Sequence, residues 1–253
     1  MYALLLLAVA LASAGTAAGP ELRIAAASDL QPVLPRIVRQ FEAETGARVS
    51  VAFGSSGSLF AQIENGAPFD LFFCADTDYP ERLRAEGLVA AGGLRHYATG
   101  RLVLWARRDA GVDVSQGLAA LTAPSVRRIA VANPAHAPYG RAAMAALAHV
   151  GLERRLRDRL VFGENVSQAA QFAQSGNAEA ALIPLSLART PALEQAGVYA
   201  EVPDAFHPPL TQAAVVLRTS AQADLARRFL ALFDRPAIRQ LMQDFGLVPP
   251  PLR

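Results

Sequence analysis

The sequence predicts an α/β protein with mainly parallel sheets, and three observations carry that reading. Short apolar runs alternate with segments whose apolar residues recur at helical spacing, from Glu21 almost to the C-terminus. The run 69–75 is apolar apart from Asp70 and does not alternate, as a strand covered on both faces of a sheet requires. Several strands pass into a helix through only a few small or polar residues. With 52% hydrophobic and 18% charged residues, the 253-residue chain can bury the core that such sheets need, which excludes a disordered protein.

The first element is a leader. Residues 1–12 are almost wholly apolar and 13–19 are small. The run 4–11 falls short of the roughly 20 residues that span a bilayer but suits the core of a signal peptide. Ala12-Ser13-Ala14 and Thr16-Ala17-Ala18 both offer small-residue cleavage sites. No basic residue precedes the apolar run, a departure from the usual signal; the other reading is a buried N-terminal strand or helix. With no Cys near the cleavage region a lipid anchor is not expected. We expect residues 1–18 to be a signal peptide cleaved near Ala14–Ala18, and the rest to be exported in soluble form without stable membrane insertion.

The mature chain then reads in order. Residues 21–27 form a strand, and Val33, Leu34, Ile37, Val38 and Phe41 mark one face of a helix that Gly46 stops. A strand over 48–53 leads through Gly54-Ser55-Ser56-Gly57-Ser58 into a helix over 59–64, closed by Asn65-Gly66. The apolar strand 69–75 follows, then a short helix over 83–88. Strands over 101–106 and 128–132 precede the loop 133–140 and a helix that runs to Leu147. A strand over 160–162, a turn over 163–166, a helix over 167–174 and a strand over 180–184 repeat the alternation. The strand 211–218 and helices over 223–233 and 237–245 complete the chain.

Composition removes several kinds of chemistry. All 24 cationic residues are Arg, so lysine-based phosphate loops and Schiff bases are excluded. The net charge of +2 comes with no dense Arg stripe interleaved with aromatics, so nucleic acid is not the expected partner. The single Cys74 excludes an intramolecular disulfide and cysteine-rich metal sites. His96, His136, His149 and His207 share no metal-ligand spacing. His136 is read as a loop-stabilising hydrogen-bonding residue, and Asp70 and Asp76, flanking a buried strand, as structural.

What recurs is the junction itself. Strands end in small or polar residues and enter helix N-termini at Ala27-Ser28-Asp29, at residues 53–56, at 132–140 and at 162–166. Helix N-termini present unsatisfied N–H groups and about half a positive charge, so several converging on one cleft would hold an anion without a basic side chain. Open α/β sheets place ligands at the carboxyl ends of their strands. The plainer alternative is that Ser28 and Ser56 are ordinary helix caps.

The junction sequences also carry a resemblance. Ala25-Ala26-Ala27-Ser28-Asp29-Leu30, Phe53-Gly54-Ser55-Ser56-Gly57-Ser58-Leu59 with Gln62-Ile63, and the block Gly66 to Asp76 are similar, in order and spacing, to the molybdate-binding periplasmic proteins of ABC transporters. So are the block Asn133 to Arg141 and Gly163-Glu164-Asn165-Val166. The resemblance spans nearly the whole mature chain. It implies a two-lobed type II periplasmic binding protein fold, each lobe a mainly parallel sheet flanked by helices, with the ligand cleft between the lobes. Lobe one would comprise residues 20–99 with 208–253, and lobe two residues 100–207.

By the same resemblance, Ser28 and Ser56 match serine ligands of the oxyanion, while Tyr139 and Val166 match backbone N–H donors. Asp29 is a further N–H donor, with its side chain expected to turn away to cap the following helix or to meet solvent. Pro184 stands where some family members supply a tyrosine hydroxyl, a contact that the phenol of Tyr139 or the N–H of Asp29 would replace. A tetrahedral dianion offers only acceptor oxygens, so a ring of neutral donors suits it. The expected ligand is molybdate, with tungstate as a second, and the expected partners are an ABC permease and its ATPase. The protein would be a monomer with no catalytic residues and no cofactor, holding molybdenum only as the oxyanion and not through metal-ligating side chains.

Two other readings stay open on the residues alone. Sulfate, phosphate or a small organic acid would satisfy the same donors. A hydrolase would use Gly54-Ser55-Ser56-Gly57-Ser58 as its nucleophile turn with Asp204 and His207, although Ser58 stands where the second glycine of that motif belongs. Cys74 as a nucleophile is weaker, lying in an apolar strand without a nearby histidine.

Overall fold

The computed structural model describes residues 19–252, so the expected signal peptide lies outside the described residues. Ten strands form two five-stranded sheets. The first orders as β2 (Arg48–Gly54), β1 (Glu21–Ala27), β3 (Leu71–Cys74), β10 (Thr211–Leu217) and β4 (Val89–Thr99). The second orders as β7 (Leu160–Gly163), β6 (Ile129–Ala132), β8 (Ala180–Pro184), β5 (Leu102–Arg107) and β9 (Gly197–Glu201). The chain passes between the sheets twice, at residues 100–101 and 202–210, and the two segments are tied by Gly100 N–H donating to the Leu210 carbonyl at 2.9 Å.

The two sheets repeat one topology without repeating a sequence. In each, three strands pair in parallel, and the strand that enters from the other sheet, β10 or β5, is antiparallel to its neighbours. The sheets are therefore mixed, which corrects the expectation of mainly parallel pairing. A strand that arrives from the opposite lobe has no crossover helix to reverse it within its own sheet, so it need not run parallel.

Period-two alternation sets the core of the first sheet. Leu22, Ile24, Phe73, Ala214 and Val216 face one layer of helices, while Ala25, Phe72, Cys74 and Val215 face the other. Burial on both faces is why these strands read as continuous apolar runs. The helix Leu34–Thr45 opens with Pro35 in its first turn and ends at Gly46 in the left-handed region, φ 68°. The strands missed in the sequence are β4 and β9, each at a sheet edge. β4 carries Gly92-Gly93, Arg95 and His96 and pairs with β10 through register shifts, so no clean alternation marks it. The helix expected at 83–88 instead spans Asp78–Ala85.

An aromatic cluster fastens the helix Ala223–Ala231 to this sheet. Phe229 meets Phe41 edge-on with ring centroids 5.1 Å apart and lies 6.1 Å from Phe73, itself 5.2 Å from Phe233. Because Phe229 is fully buried, Phe229→Ala should cost about 3–5 kcal/mol of stability. Urea unfolding of the mature chain measures this; a loss under about 1 kcal/mol would show that the cluster is not what anchors the helix.

Candidate functional site

Level strand ends build the site. β1 and β2 are parallel with Ala27 opposite Gly54, and β6 and β7 are parallel with Ala132 opposite Gly163. Each pair therefore delivers two turns side by side. β1 runs into the 3₁₀ turn Ser28–Leu30 and β2 into the helix Ser56–Glu64. From the second sheet come the helices Pro138–His149 and Val166–Gln174. All four turns line one small pocket, so Ser28, Asp29, Ser56, Tyr139 and Val166 are brought together. The volume of the pocket is about 10 Å³.

The helix ends hold their donors ready. Ser55, not Ser56, caps the Ser56–Glu64 helix by accepting from Ser58 N–H at 3.3 Å. Gly57 N–H is taken by the His136 carbonyl at 2.8 Å; neither of these bonds uses the Ser56 N–H. Asn165 caps the next helix by accepting from Ser167 and Gln168 N–H at 3.0 and 3.1 Å, again bypassing Val166. Tyr139 is the second residue of its helix, after Pro138, and an N–H in that first turn has no partner within the helix.

The two serine hydroxyls differ in readiness. Ser56 Oγ accepts from Ala75 N–H at 3.0 Å, which leaves its own hydrogen free to turn toward the pocket. Ser28 Oγ donates to the Gly54 carbonyl at 3.1 Å and must release that bond to donate elsewhere.

Asp29 departs from expectation. Its carboxylate neither caps a helix nor reaches water: the residue is fully buried, and Oδ2 accepts from Gln212 Nε2 at 2.7 Å. Oδ1 has no hydrogen-bond partner. Burial pushes the Asp29 pKa up to about 7, only partly offset by hydrogen bonding from Gln212 and the Tyr139 phenol. The Tyr139 hydroxyl in turn accepts from Gln212 Nε2 at 3.2 Å. Ser186, just past Pro184, donates to the Asp29 carbonyl at 2.7 Å and pins the turn from the second sheet. Gln212 and Ser186 were missed in the sequence. The signal for Gln212 was a lone amide in an otherwise apolar strand.

The geometry does not favour the catalytic readings. His207 Nδ1 is bonded to the Pro208 carbonyl at 2.9 Å and not to Asp204. Burial pushes the Cys74 thiol well above its ordinary range, and its Sγ–H donates to Asp76 Oδ1 at 3.1 Å. Among the described residues no group of His, Cys, Asp and Glu could hold a metal ion. His136 bonds Ser55 Oγ through Nδ1 at 2.8 Å, so its side chain ties its loop to the helix cap on the first sheet and is not spent within the loop. Asp70 accepts from Arg23 N–H and Ser220 Oγ, and so is structural as read.

Known proteins share both sequence and fold with this chain. The family described as bacterial extracellular solute-binding protein matches residues 22–248. The molybdate-binding protein ModA of Azotobacter vinelandii is 35% identical over 226 residues, 89% of this chain and 89% of its own. The Rhodobacter capsulatus ModA is 34% identical over 242 residues, 96% and 94% of the two chains. The solved Azotobacter vinelandii periplasmic molybdate-binding protein matches with TM-score 0.85 at 34% identity, over 91% of this chain and all of that one. The chain belongs to the periplasmic molybdate-binding protein family, among the bacterial extracellular solute-binding proteins. The sulfate-binding protein SubI of Mycobacterium tuberculosis shares the fold at 14% identity, with TM-score 0.74.

The family's two lobes meet here through polar contacts. His136 receives Gly57 N–H, Ser167 Oγ donates to Gln31 Oε1 at 2.7 Å, Arg141 pairs with Asp76, and Arg189 donates to the Asp244 carbonyl at 3.0 Å. Gly57 permits the approach, since a Cβ there would lie 2.8 Å from the His136 carbonyl oxygen and 2.6 Å from the Tyr79 hydroxyl.

The buried Asp29 has a measurable consequence for stability. Its pKa is raised in the fold, so the folded chain keeps a proton that the unfolded chain loses at a pKa of 3.8. Stability should fall as pH rises from about 4 to about 7 and then level off, by on the order of 4 kcal/mol for a shift of this size. Asp29→Asn, which cannot ionise, should gain on the wild type across that window. Denaturant unfolding from pH 4 to 8 reads the difference; a constant gap between the two proteins would contradict the buried carboxyl.

Proposed function

We propose that this protein is the exported receptor of an ABC importer that captures molybdate, with tungstate as a second ligand, and delivers it to a membrane permease. The observation that carries the reading is the convergence of four strand-to-helix junctions, two from each sheet, on one small pocket lined by Ser28, Ser56, Tyr139 and Val166. The names and 34–35% identity of the relatives support the choice of ligand, and their periplasmic member supports the location.

In this reading Ser28 and Ser56 donate through their hydroxyls, and Tyr139, Val166 and Asp29 through backbone N–H. The Tyr139 phenol serves Gln212 and Asp29, so the Asp29 N–H is the donor that stands in for the hydroxyl lost at Pro184. Neutral dipoles fixed at helix ends hold a dianion without burying a cation that must itself be desolvated. The two crossover segments act as the hinge about which the lobes close. No reaction is catalysed and no resident cofactor is required; the protein works as a monomer in the periplasm after removal of its leader.

Both hydroxyls are expected to contribute to binding. Ser28→Ala and Ser56→Ala should each weaken molybdate binding by about 1.5–3 kcal/mol, the loss of a hydrogen bond to a charged partner. Ser56→Ala should also lower stability, because it strips the Ala75 N–H of its acceptor. Calorimetric titration with molybdate, tungstate, sulfate and phosphate tests ligand and site together. Unchanged molybdate affinity in the double variant would overturn the assignment, and preference for sulfate or phosphate would overturn the ligand.

A further inference from the structure

We propose that capture of the dianion is coupled to uptake of one proton by Asp29, so that this residue makes affinity depend on pH. The inference rests on the oxyanion reading of the pocket. It starts from an imbalance in the donor set: Asp29 lines a pocket suited to an acceptor-only ligand, and its carboxylate is buried directly behind that lining. An ionised Asp29 presents two acceptor oxygens, of which Oδ2 takes the Gln212 amide and Oδ1 takes nothing. Protonation converts the unpartnered acceptor into a donor and removes the like charge beside the ligand.

The surroundings supply no cation that would keep Asp29 ionised. From β10 comes neutral Gln212, and from the helix Pro138–His149 the Tyr139 phenol, raised by burial. From β4 comes the Tyr97 phenol, also raised, which donates to the Cys74 carbonyl. The Cys74 thiol on β3 is held neutral, and the carboxylate of Asp76 is paired with Arg141. The helix Leu185–Ala188 contributes Ser186, and Arg189 beyond it is occupied by the carbonyls of Gln243 and Asp244. The helix Val166–Gln174 carries no charged residue. A dianion arriving at the N–H of the same residue therefore meets an uncompensated negative charge, unless a proton comes with it.

The sign follows from the free protein. Below about pH 7 Asp29 already holds its proton and binding takes up none. Above it, each anion bound draws a proton from solution, and affinity falls toward tenfold per pH unit, the limit for one linked proton. Gln212 is the positioning residue. Its amide stabilises the ionised carboxylate, so removing it should move the onset to higher pH.

The test is calorimetric titration of the mature protein with molybdate at pH 6 and pH 8, each in two buffers of different ionisation enthalpy. The expected result is a roughly tenfold weaker affinity at pH 8, with buffer-dependent heat reporting close to one proton taken up there and little at pH 6. Asp29→Asn should abolish the buffer dependence and flatten the profile. Gln212→Met should retain both, with the onset displaced upward. Binding with the same affinity and buffer-independent heat at both values would overturn the coupling. Absence of binding at pH 6 as well as pH 8 would instead overturn the oxyanion reading on which it rests.

Discussion

Two parallel strands whose ends are level set their following helices side by side, and this protein does so in each of its two sheets. The pairings of Ala27 with Gly54 and of Ala132 with Gly163 are the constraint from which the pocket follows. Once those registers are fixed, the first N–H groups of the helices from β2, β6 and β7, together with the 3₁₀ turn that follows β1, are brought to one place. A slip of one residue would turn Ser28 or Ser56 away from the pocket in the first pair, and displace Tyr139 or Val166 in the second. The inner strand of each pair, β1 or β6, is buried on both faces and makes such a slip costly, because each of its core residues has an assigned layer.

The contacts between lobes are mixed. They include hydrogen bonds and one ion pair, at His136, Gln31, Ser186, Arg189 and Arg141, each worth only about a kcal/mol net. The core of the second sheet also takes in Ala27 and Ala75 of the first lobe, and Leu185 lies against Gly246. Closure of such an interface can be decided by a ligand that both sides grip. Asp29 sits where these demands meet, since its turn belongs to one lobe and its carbonyl is held by Ser186 of the other.

The strand-to-helix junctions were legible because they concentrate strong local signals. Small or polar residues end the strands and helical periodicity follows at once, although the caps are Ser55 and Asn165 and not Ser28 or Ser56. The edge strands β4 and β9 were not legible, since one half-exposed face and paired glycines blur period two. Nor was the antiparallel insertion of β10 and β5, which depends on a chain crossing between sheets and not on any local pattern. Ser28, Ser56, Tyr139 and Val166 could be placed together through the resemblance to the molybdate-binding family. The burial of Asp29 could not, because its partner Gln212 lies 183 residues further along the chain.

The proposed function requires one oxyanion where the four junctions converge. Diffraction from crystals grown with molybdate, recorded on both sides of the molybdenum absorption edge, would locate it. A single anomalous peak is expected within hydrogen-bonding reach of Ser28 Oγ, Ser56 Oγ and the N–H groups of Tyr139 and Val166. A peak elsewhere, or none in a pocket closed as it is here, would contradict it.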